Sequence, residues 1–184
     1  LELKASLDIE NIDWQFDVIK HRAFVMFDSE TALKRLSLLL DMCFSNNKMS
    51  CHIPQVYCLR GDIFREIQKL EDAMMSYEDA LCYYLQYHNE SKYLATFQKD
   101  GFVPDRMKWI GTRPELIPIY TGMANCLALL SNRGVGYNKK YIGLKGTNYA
   151  FDLYWLSMMI SEQFFGKNDY RTAQGNYEIF FIFA

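Results

Sequence analysis

Residues 54–85 constrain the fold most, because two helical patterns with meshing large and small residues follow each other there. Tyr57, Gly61 and Phe64 lie at i, i+4 and i+7, the spacing that places side chains on one face of a helix. A second run repeats this spacing at Ala73, Tyr77 and Ala80. Glycine inside a helix costs about 1 kcal/mol relative to alanine, so we expect Gly61 where a neighbouring helix comes close. The pattern predicts two antiparallel helices in tight contact.

These six positions resemble the tetratricopeptide repeat, a helical hairpin of 34 residues with large, small and aromatic residues at the same offsets. The chain departs from the repeat at Arg60, where leucine is usual, and at Gln68 and Lys69, where a Gly-Asp turn is usual. Leu85 replaces the proline that normally ends the repeat, which lets the second helix continue to Tyr87. Arrays of such hairpins are binding proteins, so the resemblance implies a binding function.

Weaker matches to the repeat occupy residues 12–43, 115–131 and 154–183. In the first of them Ala32, Leu36 and Leu39 match the second-helix positions, while Lys20 replaces the small residue. The periodicity predicts an all-α chain with about seven helices. The resemblance implies that these helices pair as antiparallel hairpins in a right-handed superhelix, an α-solenoid. We interpret residues 1–184 as a single repeat domain and as a piece of a longer protein.

The segment before the strong repeat carries its own helix signals. Phe16, Ile19, Ala23 and Phe27 form one apolar stripe, which predicts a first helix. Asp28 and the two residues after it supply capping oxygens for a second helix.

Two irregular inserts interrupt the pattern, near residues 89–114 and 132–148. Between them, the first helix of a third unit matches the repeat at Tyr120, Met123, Ala124 and Leu127. Its partner helix is missing from the expected place, where Gly136, Lys140 and Gly143 fall in a glycine-rich loop. A last unit is predicted from two runs, Ile160, Ser161 and Phe164, then Tyr170, Ala173, Tyr177 and Phe180.

Composition restricts the function classes. A net charge of -2 argues against a nucleic-acid binder that relies on a broad basic face. Five cysteines without paired spacing indicate reduced thiols, and no apolar window is long enough for a membrane span. We therefore expect an intracellular, cytoplasmic location.

No catalytic pattern is present. The histidines His21, His52 and His88 lie in different elements, and the glycine-rich loop lacks both phosphate-binding motifs. Cys43, Cys51, His52 and Cys58 could in principle ligate zinc, but no CxxC pair exists, and buried free thiols are the better interpretation. We expect no enzymatic activity, no metal and no cofactor.

The resemblance also implies where a partner would bind, since the first helix of each repeat lines a concave groove. The groove positions carried over are Gln55, Cys58, Asp62 and Arg65 in the strong repeat and Trp155, Met158, Glu162 and Phe165 in the last unit. We predict a scaffold that binds an extended or helical segment of another protein, or a neighbouring subunit. Small molecules are not expected as ligands. The alternative is RNA binding by basic residues of the inserts, namely Lys92, Lys99, Arg106, Lys108, Arg113, Arg133, Lys139 and Lys140.

Overall fold

The structure is a computed structural model, which describes residues 12–90, 113–132 and 146–173. These residues form helices joined by turns, with no strand among them, so the predicted all-α class is confirmed for this part of the chain. The α-helices are α1 (Ile12–Lys20), α2 (Ser29–Ser45), α3 (Ile53–Glu66), α4 (Leu70–Tyr87), α5 (Ile117–Asn132) and α6 (Gly146–Phe165). Shorter elements are a π-helical turn at His21–Val25 and 3-10 turns at Asn47–His52 and Pro114–Leu116.

The predicted stripe of the first helix is buried except at its end. Phe16, Ile19 and Ala23 belong to the core, but Phe27 is 83% exposed, so its assignment to the stripe was wrong. The π-helical turn at His21–Val25 carries more residues per turn than an α-helix and therefore rotates later side chains out of the stripe. Phe27 then adopts a left-handed backbone conformation, with φ of 55°, and the chain changes direction there before α2 begins.

The predicted cap of α2 is confirmed. The Asp28 carboxylate accepts a hydrogen bond of 3.2 Å from the Thr31 backbone N–H, which is one of the donors that a helix start leaves unpaired. Hydrogen bonding from the Thr31 side chain and backbone lowers the pKa of Asp28, and the Arg22 guanidinium lies 3.6 Å away. The cap fixes where α2 begins.

Helices α3 and α4 form the hairpin that the strong repeat predicts, and α4 continues to Tyr87 as expected. The turn between them places Gln68 in the left-handed region, with φ of 62°, at a position where a glycine would be unstrained. The Lys69 N–H donates to the Phe64 carbonyl over 2.9 Å and so closes the end of α3. Both helices contribute fully buried side chains at this contact.

Tyr77 is the large residue at the centre of this packing. A Cβ atom added to Gly61 would lie 2.7 Å from the Tyr77 ring, so the close approach predicted at Gly61 is confirmed. A Cβ added to Gly122 on α5 would lie 2.3 Å from the same ring. The ring is therefore held between two glycines of different helices, and it joins the α3–α4 hairpin to α5.

Helix α6 packs along α5, which differs from the interpretation drawn from the sequence. Helix α6 thus lies beside the first helix of the third unit, for which the sequence predicted no helical partner at the expected place. Its buried Ala150, Tyr154 and Ser157 repeat the spacing of the second-helix positions of the strong repeat. Gly136, Lys140 and Gly143 lie outside the described residues, as do Tyr177 and Phe180.

Side-chain hydrogen bonds tie α6 to α5. The Tyr154 hydroxyl donates to the Asn125 side-chain oxygen over 2.7 Å, and the hydroxyls of Thr121 and Ser157 lie 2.9 Å apart. Tyr77 makes the same kind of bond in the preceding hairpin, donating to Asp62 over 2.7 Å. The two hairpins thus share an inter-helix bond as well as a residue pattern.

The described core consists of two clusters that meet at α3. One cluster is built from α1, α2 and the apolar face of α3, and the other from Cys58 of α3 together with α4, α5 and α6. Tyr57 on α3 packs against both clusters. None of the helices that the structure describes is long and apolar enough to cross a membrane.

Candidate partner-binding groove

A groove of about 490 Å³ crosses the first helices of the three hairpins, and we call it the α1–α3–α5 groove. It is lined by Asp13, Phe16, Asp17 and Lys20 of α1, by Gln55, Cys58, Leu59 and Asp62 of α3, and by Pro118 of α5. Its floor is apolar and its rim carries the charges.

Helix α3 forms the centre of this groove. Gln55, Cys58 and Asp62 lie at i, i+3 and i+7, so one face of α3 presents all three. An adjacent face of α3 carries Val56 and Ile63 into the core. Three of the four groove positions implied for the strong repeat therefore line one surface.

Asp62 connects the groove to the packing of the α3–α4 hairpin. Its carboxylate accepts the Tyr77 hydroxyl bond and lies 3.5 Å from the Arg65 guanidinium. Burial raises the pKa of Asp62, while the bond from Tyr77 and the nearby cations oppose that change. The carboxylate is thus held in place by a buried phenol on one side and a cation on the other.

Arg65 does not line the groove with the other three residues. Its side chain is half-buried, pairs with Asp62 and lies within electrostatic reach of Cys126 on α5. Cys58 does line the groove, and burial raises the pKa of its thiol. The thiol is therefore an uncharged part of the groove floor at neutral pH.

The net charge of the groove rim is negative. Asp13, Asp17 and Asp62 face one cation of the groove, Lys20. In the described part of the chain, neither Asp13 nor Asp17 has an ion-pair or hydrogen-bond partner. These two carboxylates are exposed, so the mouth of the groove attracts cations.

A second cleft of about 230 Å³, which we call the adjoining cleft, continues from the groove between the start of α3 and the end of α4. The two cavities share Gln55, Cys58 and Pro118. The remaining lining residues are Cys51, His52, Pro54, Tyr84, Tyr87, His88, Glu115 and Ile119. Groove and cleft together form one continuous surface along the hairpins.

Tyr84 is the unusual residue of the adjoining cleft. It is only 4% exposed, and its hydroxyl has no hydrogen-bond partner within the described residues. Burial raises its pKa to about 12, so the hydroxyl keeps its proton and remains a donor. Buried polar groups are normally hydrogen-bonded, and an unsatisfied hydroxyl therefore indicates a missing acceptor.

His88 and His52 in the same cleft already have partners. The Arg113 guanidinium donates to His88 Nδ1 over 2.8 Å, and burial together with this cation lowers the pKa of His88. His52 Nδ1 lies 3.1 Å from the Gln55 side-chain oxygen. Among the groups that the structure describes, the Tyr84 hydroxyl is thus a buried donor of the cleft without a partner.

The groove positions implied for the last unit lie elsewhere. Trp155, Met158, Glu162 and Phe165 are all on α6, and none of them lines the α1–α3–α5 groove. Glu162 pairs with Lys167 at 3.2 Å, and the Arg171 guanidinium lies 3.3 Å from the centre of the Phe165 ring. Trp155 is 38% exposed on the outer side of α6. The structure does not bring the two predicted sets of residues together.

Metal binding and RNA binding were the other kinds of site that the sequence raised. Across the three described ranges, no group of three or more His, Cys, Asp or Glu side chains could hold a metal ion. Of the basic residues considered for RNA binding, Arg113 is bonded to His88, and the other seven lie outside the described residues.

Some groove residues were missed although the repeat register could have found them. Asp17 follows Phe16 as Cys58 follows Tyr57, and Pro118 precedes Tyr120 as Gln55 precedes Tyr57. Carrying the groove positions to the first and third hairpins would therefore have identified Asp17 and Pro118. Asp13 and Lys20 lie at i−4 and i+3 from Asp17 and share its face of α1, whereas Tyr84 on α4 has no such signal.

No protein-family profile, curated protein or solved structure matches this chain. The groove is therefore interpreted from its own geometry and chemistry.

Proposed function

We propose that this chain is a tetratricopeptide-like scaffold that binds a segment of another protein in the α1–α3–α5 groove. The observation that carries the proposal is the groove itself, in which the first helices of three successive hairpins contribute side chains to one surface. A solenoid of helical hairpins would produce such a shared surface, because each hairpin adds one helix to the same side.

The repeated hairpin pattern supports this interpretation. Ala73, Tyr77 and Ala80 on α4 have their counterparts in Ala150, Tyr154 and Ser157 on α6, and each tyrosine bonds to the first helix of its own hairpin. We infer from this recurrence a right-handed superhelix of hairpins. Its role would be cytoplasmic assembly of protein complexes rather than catalysis.

The size of the groove suits a peptide segment better than a whole folded domain. Residues on its floor, such as Phe16 and Leu59, can contact apolar side chains, while Gln55 can pair with backbone groups. Affinity for an extended segment would come from a few anchor side chains in these positions.

The test is a selection from displayed random peptides of about 12 residues, which reach roughly 40 Å when extended. Enriched peptides are then measured against Gln55→Trp, which fills the groove, and Glu71→Trp, which adds the same bulk at an exposed position on α4. We expect Gln55→Trp to weaken binding at least about tenfold and Glu71→Trp to leave it unchanged. Failure to enrich any peptide, or equal binding by both variants, would overturn the proposal.

A further inference from the structure

We infer that the segment bound by this groove is basic, with a lysine or arginine side chain that enters the α1–α3–α5 groove. The inference rests on the proposed function and adds the chemistry of the partner. Two independent observations support it: the rim carboxylates of Asp13 and Asp17 and the Tyr84 hydroxyl of the adjoining cleft, all without a partner among the described residues.

The groove can accommodate both the apolar stem and the charged end of a long basic side chain. The methylene groups of lysine or arginine can lie on the apolar floor formed by Phe16 and Leu59, while the charged end stays at the rim. Asp13 and Asp17 are there as acceptors, one turn apart on α1 and without a partner among the described side chains. An acidic segment would instead place like charges together and be repelled.

The adjoining cleft indicates how the backbone of the same segment is held. Tyr84 is buried, its hydroxyl donor is unused, and the cleft that it lines is continuous with the groove through Gln55, Cys58 and Pro118. The hydroxyl oxygen is itself buried, so a small shift of the cleft side chains would let a backbone carbonyl of a segment leaving the groove accept this hydrogen bond. Every peptide carries that acceptor, so Tyr84 would contribute affinity and the carboxylates would contribute selectivity.

Lys20 does not reverse this preference. Among the described lining residues it is the one cation, and it lies within electrostatic reach of Asp62 and Cys58. Asp62 is further occupied by the Tyr77 hydroxyl and by Arg65. The charge left for a ligand is that of the two α1 carboxylates.

The experiment uses the peptides selected above and two matched charge-reversal variants. Asp13→Lys with Asp17→Lys changes the rim, and Asp41→Lys with Glu71→Lys makes the same change in charge at exposed positions outside it. We expect the enriched peptides to be basic and the rim variant to weaken their binding at least about tenfold more than the control. The loss should shrink as salt is raised, because exposed charges are screened.

Tyr84→Phe separates the second observation from the first. Because the hydroxyl has no partner in the described structure, we expect the variant to fold as stably as the parent and to bind all selected peptides about threefold to tenfold more weakly. Unchanged binding would remove the adjoining cleft from the inference.

The outcomes distinguish this inference from the proposed function. Groove-dependent peptides with no basic residue, or equal binding by the two charge-reversal variants, would overturn the inference and leave the scaffold intact. If no peptide depends on the groove, both fail.

Discussion

At the scale of single residues, the position of Tyr77 determines how closely three helices approach. Its ring fills the space that side chains at Gly61 and Gly122 would otherwise occupy, and its hydroxyl is fixed by Asp62. The ring cannot move aside easily, because it is fully buried and its hydroxyl is bonded to Asp62. The two glycines are therefore required by packing, although glycine is unfavourable within a helix.

Gly122→Ala tests this packing. The added methyl group would lie 2.3 Å from the Tyr77 ring, so we expect the free energy of unfolding to fall by about 2–3 kcal/mol in spite of alanine's higher helix propensity. Urea unfolding of the parent and variant measures the difference. In the Tyr77→Leu background the same substitution should cost much less, and an equal cost there would show that the ring is not the obstacle.

Asp62 gives a pH-dependent prediction at the same scale. Its pKa is raised from 3.8 in the folded protein, mainly by burial, so the protonated form favours folding. This contribution is complete below pH 3.8 and is lost as the pH rises through the folded-state pKa. Asparagine keeps an acceptor for Tyr77 and cannot ionise, so Asp62→Asn should gain stability relative to the parent as the pH rises.

Thermal unfolding of both proteins at several values between about pH 3 and pH 7 would measure this difference in stability. The comparison cancels the titration of the other carboxylates, which the two proteins share. A difference that stays constant across the range, or that shrinks as the pH rises, would contradict the assignment.

At the scale of elements, the α5–α6 hairpin shows which interactions hold two helices together when the connection between them is long. The chain leaves α5 at Asn132 and enters α6 at Gly146, yet Tyr154 bonds to Asn125 as Tyr77 bonds to Asp62 in the hairpin with a short turn. The side-chain bond and the small residues beside it are thus kept while the length of the connection changes.

Tyr154→Phe removes the hydroxyl that joins these helices and leaves the ring. A hydrogen bond of this kind contributes about 1 kcal/mol, so we expect the free energy of unfolding to fall by about that amount and the Asn125 side chain to become unsatisfied. Tyr84→Phe is the matched control, because its hydroxyl has no partner in the described ranges. Equal effects of the two substitutions in urea unfolding would argue against a role for the bond.

The helices and the α3–α4 contact could be predicted from the sequence, because local periodicity and the spacing around Gly61 and Tyr77 encode them. The pairing of α6 with α5 was not predicted, because a fixed repeat length places the partner helix at Gly136 and Gly143. Ala150, Tyr154 and Ser157 do have the spacing of the second-helix positions, but the insert places them further along the chain than the repeat length predicts. The prediction for Phe27 was wrong for a different reason. The π-helical turn shifts the later side chains around the helix, and no residue type in the sequence indicates such a turn.

The site was predictable to the extent that one helix face defines it. Gln55, Cys58 and Asp62 share a face of α3, so their common surface follows from spacing alone. Tyr84 comes from α4, and its place beside this face depends on the angles at which whole helices cross. A pattern along the chain carries no information on those angles.

At the scale of the whole molecule, the division of the core into two clusters bears on how the fold opens. Helix α3 contributes to both clusters, with Val56 and Ile63 in the first and Cys58 in the second. Stability in such arrays is a sum of hairpin terms and of interfaces between neighbours. Local opening should therefore follow the clusters, with α3 as the shared boundary.

Leu36→Ala and Leu153→Ala test this division with the same chemical change. Leu36 is fully buried in the cluster of α1 and α2, and Leu153 is fully buried in the cluster that contains α6. Each substitution should lower the free energy of unfolding by about 2–5 kcal/mol, through lost burial and a residual cavity. Native-state hydrogen exchange should then show faster exchange in α1 and α2 for Leu36→Ala, and in α5 and α6 for Leu153→Ala. Exchange that accelerates equally in all six helices in both variants would instead mean that the clusters open together, as one cooperative unit.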